Sequence, residues 1–271
     1  MSQLLVGVSL KMYFGHEQTI HWCRAVADIA ATHPAVRDDH VTLVVLPSFL
    51  YIAEAVDVFA DTPVAVGGQD LFWADAGAFT GEVSGKHLRE LGCGYAEIGH
   101  AERRRVFAET DTMIAAKTAA AFRNRLIPIL CVGEAVRSNP AGAARHCRAQ
   151  LDSALLEVQG AGPLVVAYEP HWAIGAEKPA SPEYVAKTCA AIRDHLDAQP
   201  DFAESRVIYG GSAGPGLLTR LKDSVDGLFL GRFAHDPSAL EHILTEALDG
   251  SATTSTAGPH PSAGRSQWQW D

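Results

Sequence analysis

Positive charge is in short supply: 22 of the 271 residues are Lys or Arg against 32 Asp or Glu, a formal net charge of −10. With no basic surplus to neutralise phosphate backbones or anionic lipid, neither nucleic acid nor a membrane surface is expected as a partner. Long apolar runs are missing too; none approaches the ~18 residues of a membrane span. The N-terminal MSQLLVGVSLKMYF lacks a basic stretch ahead of its apolar run, which is short and ends at Lys11, so it does not read as a secretory leader. Cysteine is sparse and unpaired. Cys23, Cys93, Cys131, Cys147 and Cys189 are odd in number, scattered, and never spaced C-x-x-C, which excludes a disulfide frame and a zinc knuckle. Reduced thiols in the cytoplasm are the expectation. The twelve histidines are dispersed, with no H-E-x-x-H, and no dinucleotide fingerprint or Walker loop is present. Neither metal nor cofactor is expected, which fits proton-transfer chemistry.

What the chain does have is a repeating alternation. Eight short runs rich in Val, Ile and Leu occupy 4–10, 41–47, 64–70, 95–100, 127–133, 164–170, 206–212 and 227–232. Most are nearly continuous in apolar character, as parallel strands covered on both faces should be. Amphipathic stretches of helical length separate them. In HEQTIHWCRAVADIAAT the residues Ile20, Cys23, Val26, Ala27 and Ala30 fall on one helical face. SPEYVAKTCAAIRDHL opens with Ser181 as an N-cap and Pro182 at the first helical position. A doubly wound open sheet would also alternate. Eight units within about 250 residues favour instead a single-domain α/β fold, the (β/α)8 barrel, over residues 1–248. From about Asp249 the composition turns to Gly, Pro, Ser and Thr without a period, which predicts a flexible tail over 249–271.

Polar and Gly-rich residues collect where the runs end, and in a barrel the C-terminal strand ends build the active site. Glu169, in AYEPHWAIGAEK, is a carboxylate at such an end, followed by a Gly/Ala-rich segment bracketed by Pro170 and Pro179. That pattern reads as a base beside a moving loop. His100 precedes a helix start, a position that disfavours imidazolium and leaves a neutral hydrogen-bond donor. Lys11 supplies a cation for an enolate or phosphate oxygen. Gly175, Gly211-Ser212 and Gly231-Arg232 lie after the sixth, seventh and eighth runs, where backbone N–H groups can hold a phosphate despite the acidic overall charge.

Taken together, GAFTGEVS (77–84), EIGHAERR (97–104), CVGE (131–134), AYEPHWAIG (167–175), YGGS (209–212) and DGLFLG (226–231) resemble the triosephosphate isomerase family, in the family's order. The resemblance runs to about residue 248. It implies Glu169 as the base, His100 as the neutral electrophile, Lys11 as the electrostatic anchor and Glu102 as the group orienting them. The pairing of Glu base with neutral His is that family's known chemistry. The resemblance also implies a closing lid over 170–180, latched by Tyr209 and Ser212. It further implies a homodimer in which Thr80 reaches towards the partner's site.

Departures from the family pattern fall at both ends of the substrate site. The usual Asn-x-Lys becomes Ser9-Leu10-Lys11, and the paired glycines of the eighth loop become Gly231-Arg232. Ala101 replaces a Ser, His171 a Val, and the lid's Gly-Thr-Gly becomes Gly175-Ala176-Glu177. Ser9 in place of Asn leaves room for one more hydroxymethylene group, and Arg232 adds a cation. This combination is similar to that of the family's divergent branch acting on L-erythrulose 1-phosphate, which it converts to D-erythrulose 4-phosphate. The expected activity is isomerisation of a short sugar phosphate, of four carbons by this resemblance. An ordinary triose phosphate substrate and a non-catalytic phosphate-binding barrel remain the alternatives.

Overall fold

Eight parallel strands close on themselves in a computed structural model that describes residues 3–174, 180–202, 204–221 and 224–252. The strands are β1 (Leu4–Ser9), β2 (Val41–Leu46), β3 (Ala65–Gly68), β4 (Tyr95–Ile98), β5 (Ile127–Val132), β6 (Val165–Tyr168), β7 (Arg206–Tyr209) and β8 (Gly227–Leu230). Each pairs in parallel with its neighbours in sequence, and β1 closes the ring on β8. The fold is a (β/α)8 barrel. The ladder ends two or more residues before most of the apolar runs do, because residues such as Asp70, His100 and Glu169 turn off the strands into loops.

Helices α1 (His16–Thr32), α2 (Pro34–Arg37), α3 (Ile52–Phe59), α4 (Gly85–Glu90), α5 (Ala101–Val106), α6 (Asp111–Arg123), α7 (Pro140–Leu155), α8 (Pro182–Asp197), α9 (Leu217–Leu221) and α10 (Pro237–Ala252) surround the barrel. Their starts are written locally. Ser84, Thr110, Asn139 and Ser181 accept backbone N–H groups of the first turns of α4, α6, α7 and α8. Such caps contribute about 1 kcal/mol each. Pro182 takes the first position of α8 as its fixed φ favours. On α1 the buried residues are Thr19, Ile20, Trp22, Cys23, Val26 and Ala30; Trp22 joins the face because its indole N–H donates to the Ala234 carbonyl. The helix α10 continues to Ala252, past the composition change at Asp249. The rest of the tail lies outside the described residues.

Strand residues alternate between two cores. Leu5, Val44, Leu46, Tyr95, Ile127, Ile129, Cys131, Val165, Ala167, Ile208 and Phe229 fill the barrel interior, while their neighbours such as Val6, Val8, Ala96 and Ile98 face the helices. A Cβ on Gly7 would lie 2.7 Å from the Phe229 ring, so glycine there admits the one Phe of the interior cluster. All five cysteines are free and buried. No described helix is long and apolar enough to cross a membrane.

Candidate active site

The two-residue period that fills the barrel interior brings polar groups inward at its C-terminal end. Ser9 follows Leu5 and Gly7 on β1, Glu97 follows Tyr95 on β4, Cys131 follows Ile129 on β5, and Glu169 follows Val165 and Ala167 just beyond β6. A cavity of about 280 Å³ opens above them, lined by Ser9, Lys11, His100, Glu102, Glu169 and the loops 210–213 and 230–233. That is just below the ~300–1,000 Å³ range of ligand pockets and suits a substrate of a few carbons.

His100 caps α5. Its Nδ1 accepts the backbone N–H of Glu102 at 3.1 Å, so the ring hydrogen sits on Nε2. Burial, with the Lys11 charge adding to it, pushes the imidazole down to about 3 and keeps it neutral. Its Nε2 lies 3.5 Å from Glu169 Oε2 and 3.4 Å from Lys11 Nζ. Glu169 is 3% exposed, and its Oε2 has no hydrogen-bond partner among the described residues. Burial first, and the nearby Glu97 second, raise its carboxyl to about 8. Gly210 allows this approach, since a Cβ there would lie 2.7 Å from Glu169 Cγ.

Lys11 holds a left-handed backbone, φ 51°, which costs a non-glycine residue about 1–3 kcal/mol. The conformation is pinned by Gln69, whose amide donates to the carbonyls of Lys11 and Leu46 at 3.0 Å each. Lys11 Nζ donates to Glu102 Oε1 at 2.8 Å. Burial works against its charge, but Glu102 and the other carboxylates outweigh it and hold the ammonium above the ordinary lysine value.

Of the positions singled out in the sequence, Ser9, Lys11, His100, Glu102, Glu169, Gly211, Ser212, Gly231 and Arg232 line this one cavity. Gly175 lies outside the described residues, as do residues 176–179 of the lid segment. Ser212 Oγ donates to the Ala173 carbonyl at 2.8 Å, tying the seventh loop to the start of that segment. The Tyr209 ring is wholly buried, and its hydroxyl lies against the Ala180 backbone without a well-formed hydrogen bond. Arg232 is exposed at the cavity rim, and Thr80 is exposed on the loop between β3 and α4, away from the cavity.

Three further residues, to which no local pattern assigns a role, have clear work in the structure. Gln69 buttresses Lys11 from the end of the third run. Glu134, quoted only inside a motif, accepts from Tyr168 and Tyr184 hydroxyls and the Trp172 indole, anchoring the segment after Glu169. Glu97 is a carboxyl inside the barrel. An acidic residue within an apolar strand run was the available signal for it.

Residues 4–247 match the family described as triosephosphate isomerase. The L-erythrulose-1-phosphate isomerase of Pectobacterium atrosepticum is 56% identical over 248 residues, 90% of this chain and 96% of that protein. The L-erythrulose-1-phosphate isomerase of Rhizobium etli is 36% identical over 265 residues, 93% of this chain and 96% of that protein. The triosephosphate isomerase of Moorella thermoacetica is 42% identical over 225 residues, 80% of this chain and 90% of that protein. With a closed eightfold barrel, this site and a family match over nine-tenths of its length, the chain belongs to the triosephosphate isomerase family.

Proposed function

We propose that the protein is an isomerase converting L-erythrulose 1-phosphate to D-erythrulose 4-phosphate. The observation that carries the chemistry is the buried Glu169 Oε2, unpartnered among the described residues, facing His100 Nε2 at 3.5 Å across the cavity floor. Glu169 takes the proton from the carbinol carbon next to the carbonyl, and the C–H electron pair passes into an enediolate. The neutral His100 donates from Nε2 to the carbonyl oxygen and moves a proton between the two oxygens. Lys11, oriented by Glu102, stabilises the developing negative charge. The carboxylic acid of Glu169 then returns its proton to the neighbouring carbon, so no cofactor is consumed.

The four-carbon assignment is supported by the Pectobacterium relative at 56% identity and by Ser9 in the cavity wall, where the family's Asn would occupy more volume. The Moorella relative favours the triose reading, at lower identity. Gly175, Gly211, Ser212, Gly231 and Arg232 form the phosphate end in this reading, with the segment after Glu169 as lid and Tyr209 and Ser212 as its latch. The functional unit is a cytoplasmic homodimer, Thr80 reaching into the partner, with one barrel domain and a separate C-terminal tail. Exposed Met12, Tyr13, Leu50 and Phe79 supply apolar surface for that contact.

Steady-state assay on L-erythrulose 1-phosphate and on dihydroxyacetone phosphate tests the assignment. A kcat/KM with triose phosphates near the diffusional ~10^8 M⁻¹s⁻¹ would overturn it.

A further inference from the structure

Glu97 is 3% exposed inside a barrel whose other interior side chains are almost all apolar. A carboxyl in such a place is costly and is kept only with a partner. It is not the counter-ion that Lys11 needs, because Lys11 Nζ bonds Glu102 directly at 2.8 Å. The hydrogen bond that Glu97 does receive comes from the cavity wall: Ser9 Oγ donates to Glu97 Oε2 at 2.9 Å. Ser9 lines the cavity and Glu97 does not, so the hydrogen bond by which Glu97 can act on substrate runs through Ser9.

A serine hydroxyl has one hydrogen and two lone pairs. With the hydrogen committed to a buried carboxyl, Ser9 turns only lone pairs towards the cavity. An Asn at this position would present a fixed amide with donor and acceptor together. We propose that Glu97 is a specificity-determining positioning residue, which takes up the Ser9 hydrogen and thereby makes Ser9 an acceptor for the terminal hydroxyl of a four-carbon ketose phosphate. The proposal rests on the four-carbon reading above. That reading needs room at Ser9; the added claim is a directional hydrogen bond set by a residue outside the cavity. Burial lifts the Glu97 carboxyl to about 7, with the Ser9 bond and the Lys11 charge working against it.

The test measures kcat/KM for L-erythrulose 1-phosphate and for dihydroxyacetone phosphate in the full-length protein and in Ser9→Ala, Glu97→Leu, Glu97→Gln and the double variant Ser9→Ala/Glu97→Leu. The readout is the four-carbon to three-carbon ratio, which a general loss of stability does not move. The ratio is expected to fall about tenfold in Ser9→Ala and in Glu97→Leu, and no further in the double variant, because both remove one device. Glu97→Gln keeps a carbonyl oxygen for the Ser9 hydrogen and should retain more of the ratio than Glu97→Leu. A Glu97→Leu ratio within twofold of wild type, or single effects that multiply in the double variant, would overturn the proposal. If Glu97→Leu loses its circular dichroism, Glu97→Ala, which cannot overpack the interior, is read by the same criteria. A wild type that prefers the triose phosphate sinks the substrate reading and this inference with it. A wild type that prefers four carbons, with an unmoved ratio in the Glu97 variants, sinks this inference alone.

Discussion

The Nδ1 of His100 accepts the Glu102 backbone N–H at 3.1 Å, and this single bond decides which end of the imidazole can give a proton to a ligand. The hydrogen is left on Nε2, the atom that faces Glu169 and Lys11. The first turn of α5 therefore sets both the position and the tautomer of His100.

Activity should depend on pH through Glu169 and not through His100. The base works only when ionised, and its carboxyl is raised to about 8, by burial first and the charge of Glu97 second. As pH falls below about 8 the protonated form grows, and kcat/KM should drop about tenfold per pH unit. His100, pushed down to about 3, adds no limb between pH 5 and 8. In Glu97→Gln the acid limb should move to lower pH, because a neighbouring negative charge is gone. A pH–rate profile of both proteins checks the direction.

Replacing the base should separate activity from stability. Glu169→Gln should lower kcat by about 10²–10⁴-fold. The folded carboxyl titrates well above its unfolded value, so the native state holds a proton that the unfolded chain releases between pH ~4.5 and about 8. Ionisation thus weakens the native state progressively across that window. The variant escapes this, and its advantage in melting temperature over wild type should grow as pH rises from 5 to 8. A constant difference would contradict the burial argument.

Arg232 lies at the rim beside Gly231, on the wall attributed to phosphate. Arg232→Gly should raise KM about tenfold, the loss of one charge-assisted contact, while kcat changes less. The effect should shrink at high salt because the side chain is exposed. Steady-state kinetics at two ionic strengths measure both.

A buried ion cluster offers a stability test away from the cavity. Lys117 Nζ lies 2.7 Å from Asp70 Oδ2 and 2.5 Å from Glu109 Oε1, and Arg103 joins the same two carboxylates. Lys117→Met would leave those acids with Arg103 alone. Removing one partner from such a cluster costs about 3–5 kcal/mol, which denaturant titration would register.

Self-association should rest on exposed apolar side chains. Met12 is 91% exposed and Phe79 44% exposed next to Thr80. Met12→Asp with Phe79→Asp should convert a dimer to monomer in sedimentation velocity. A wild type that already sediments as a monomer would remove the dimer from the proposal.

Much of this molecule was legible in the chain. The eight apolar runs, the Ser181-Pro182 helix start and the inward face of α1 follow from local periodicity and capping, which depend on neighbours within a turn or two. Glu169, His100 and Lys11 stand out because they are polar residues where apolar runs end. Tertiary structure decided what no local pattern carries. Closure of the barrel set Ser9 of β1 against Glu97 of β4, 88 positions apart, within 2.9 Å. It brought Gln69 under the strained turn at Lys11 and buried Glu169 deeply enough to change its proton affinity. Strand order and burial depth arise from long-range packing, and the directions of these hydrogen bonds and charges exist only once the ring has closed.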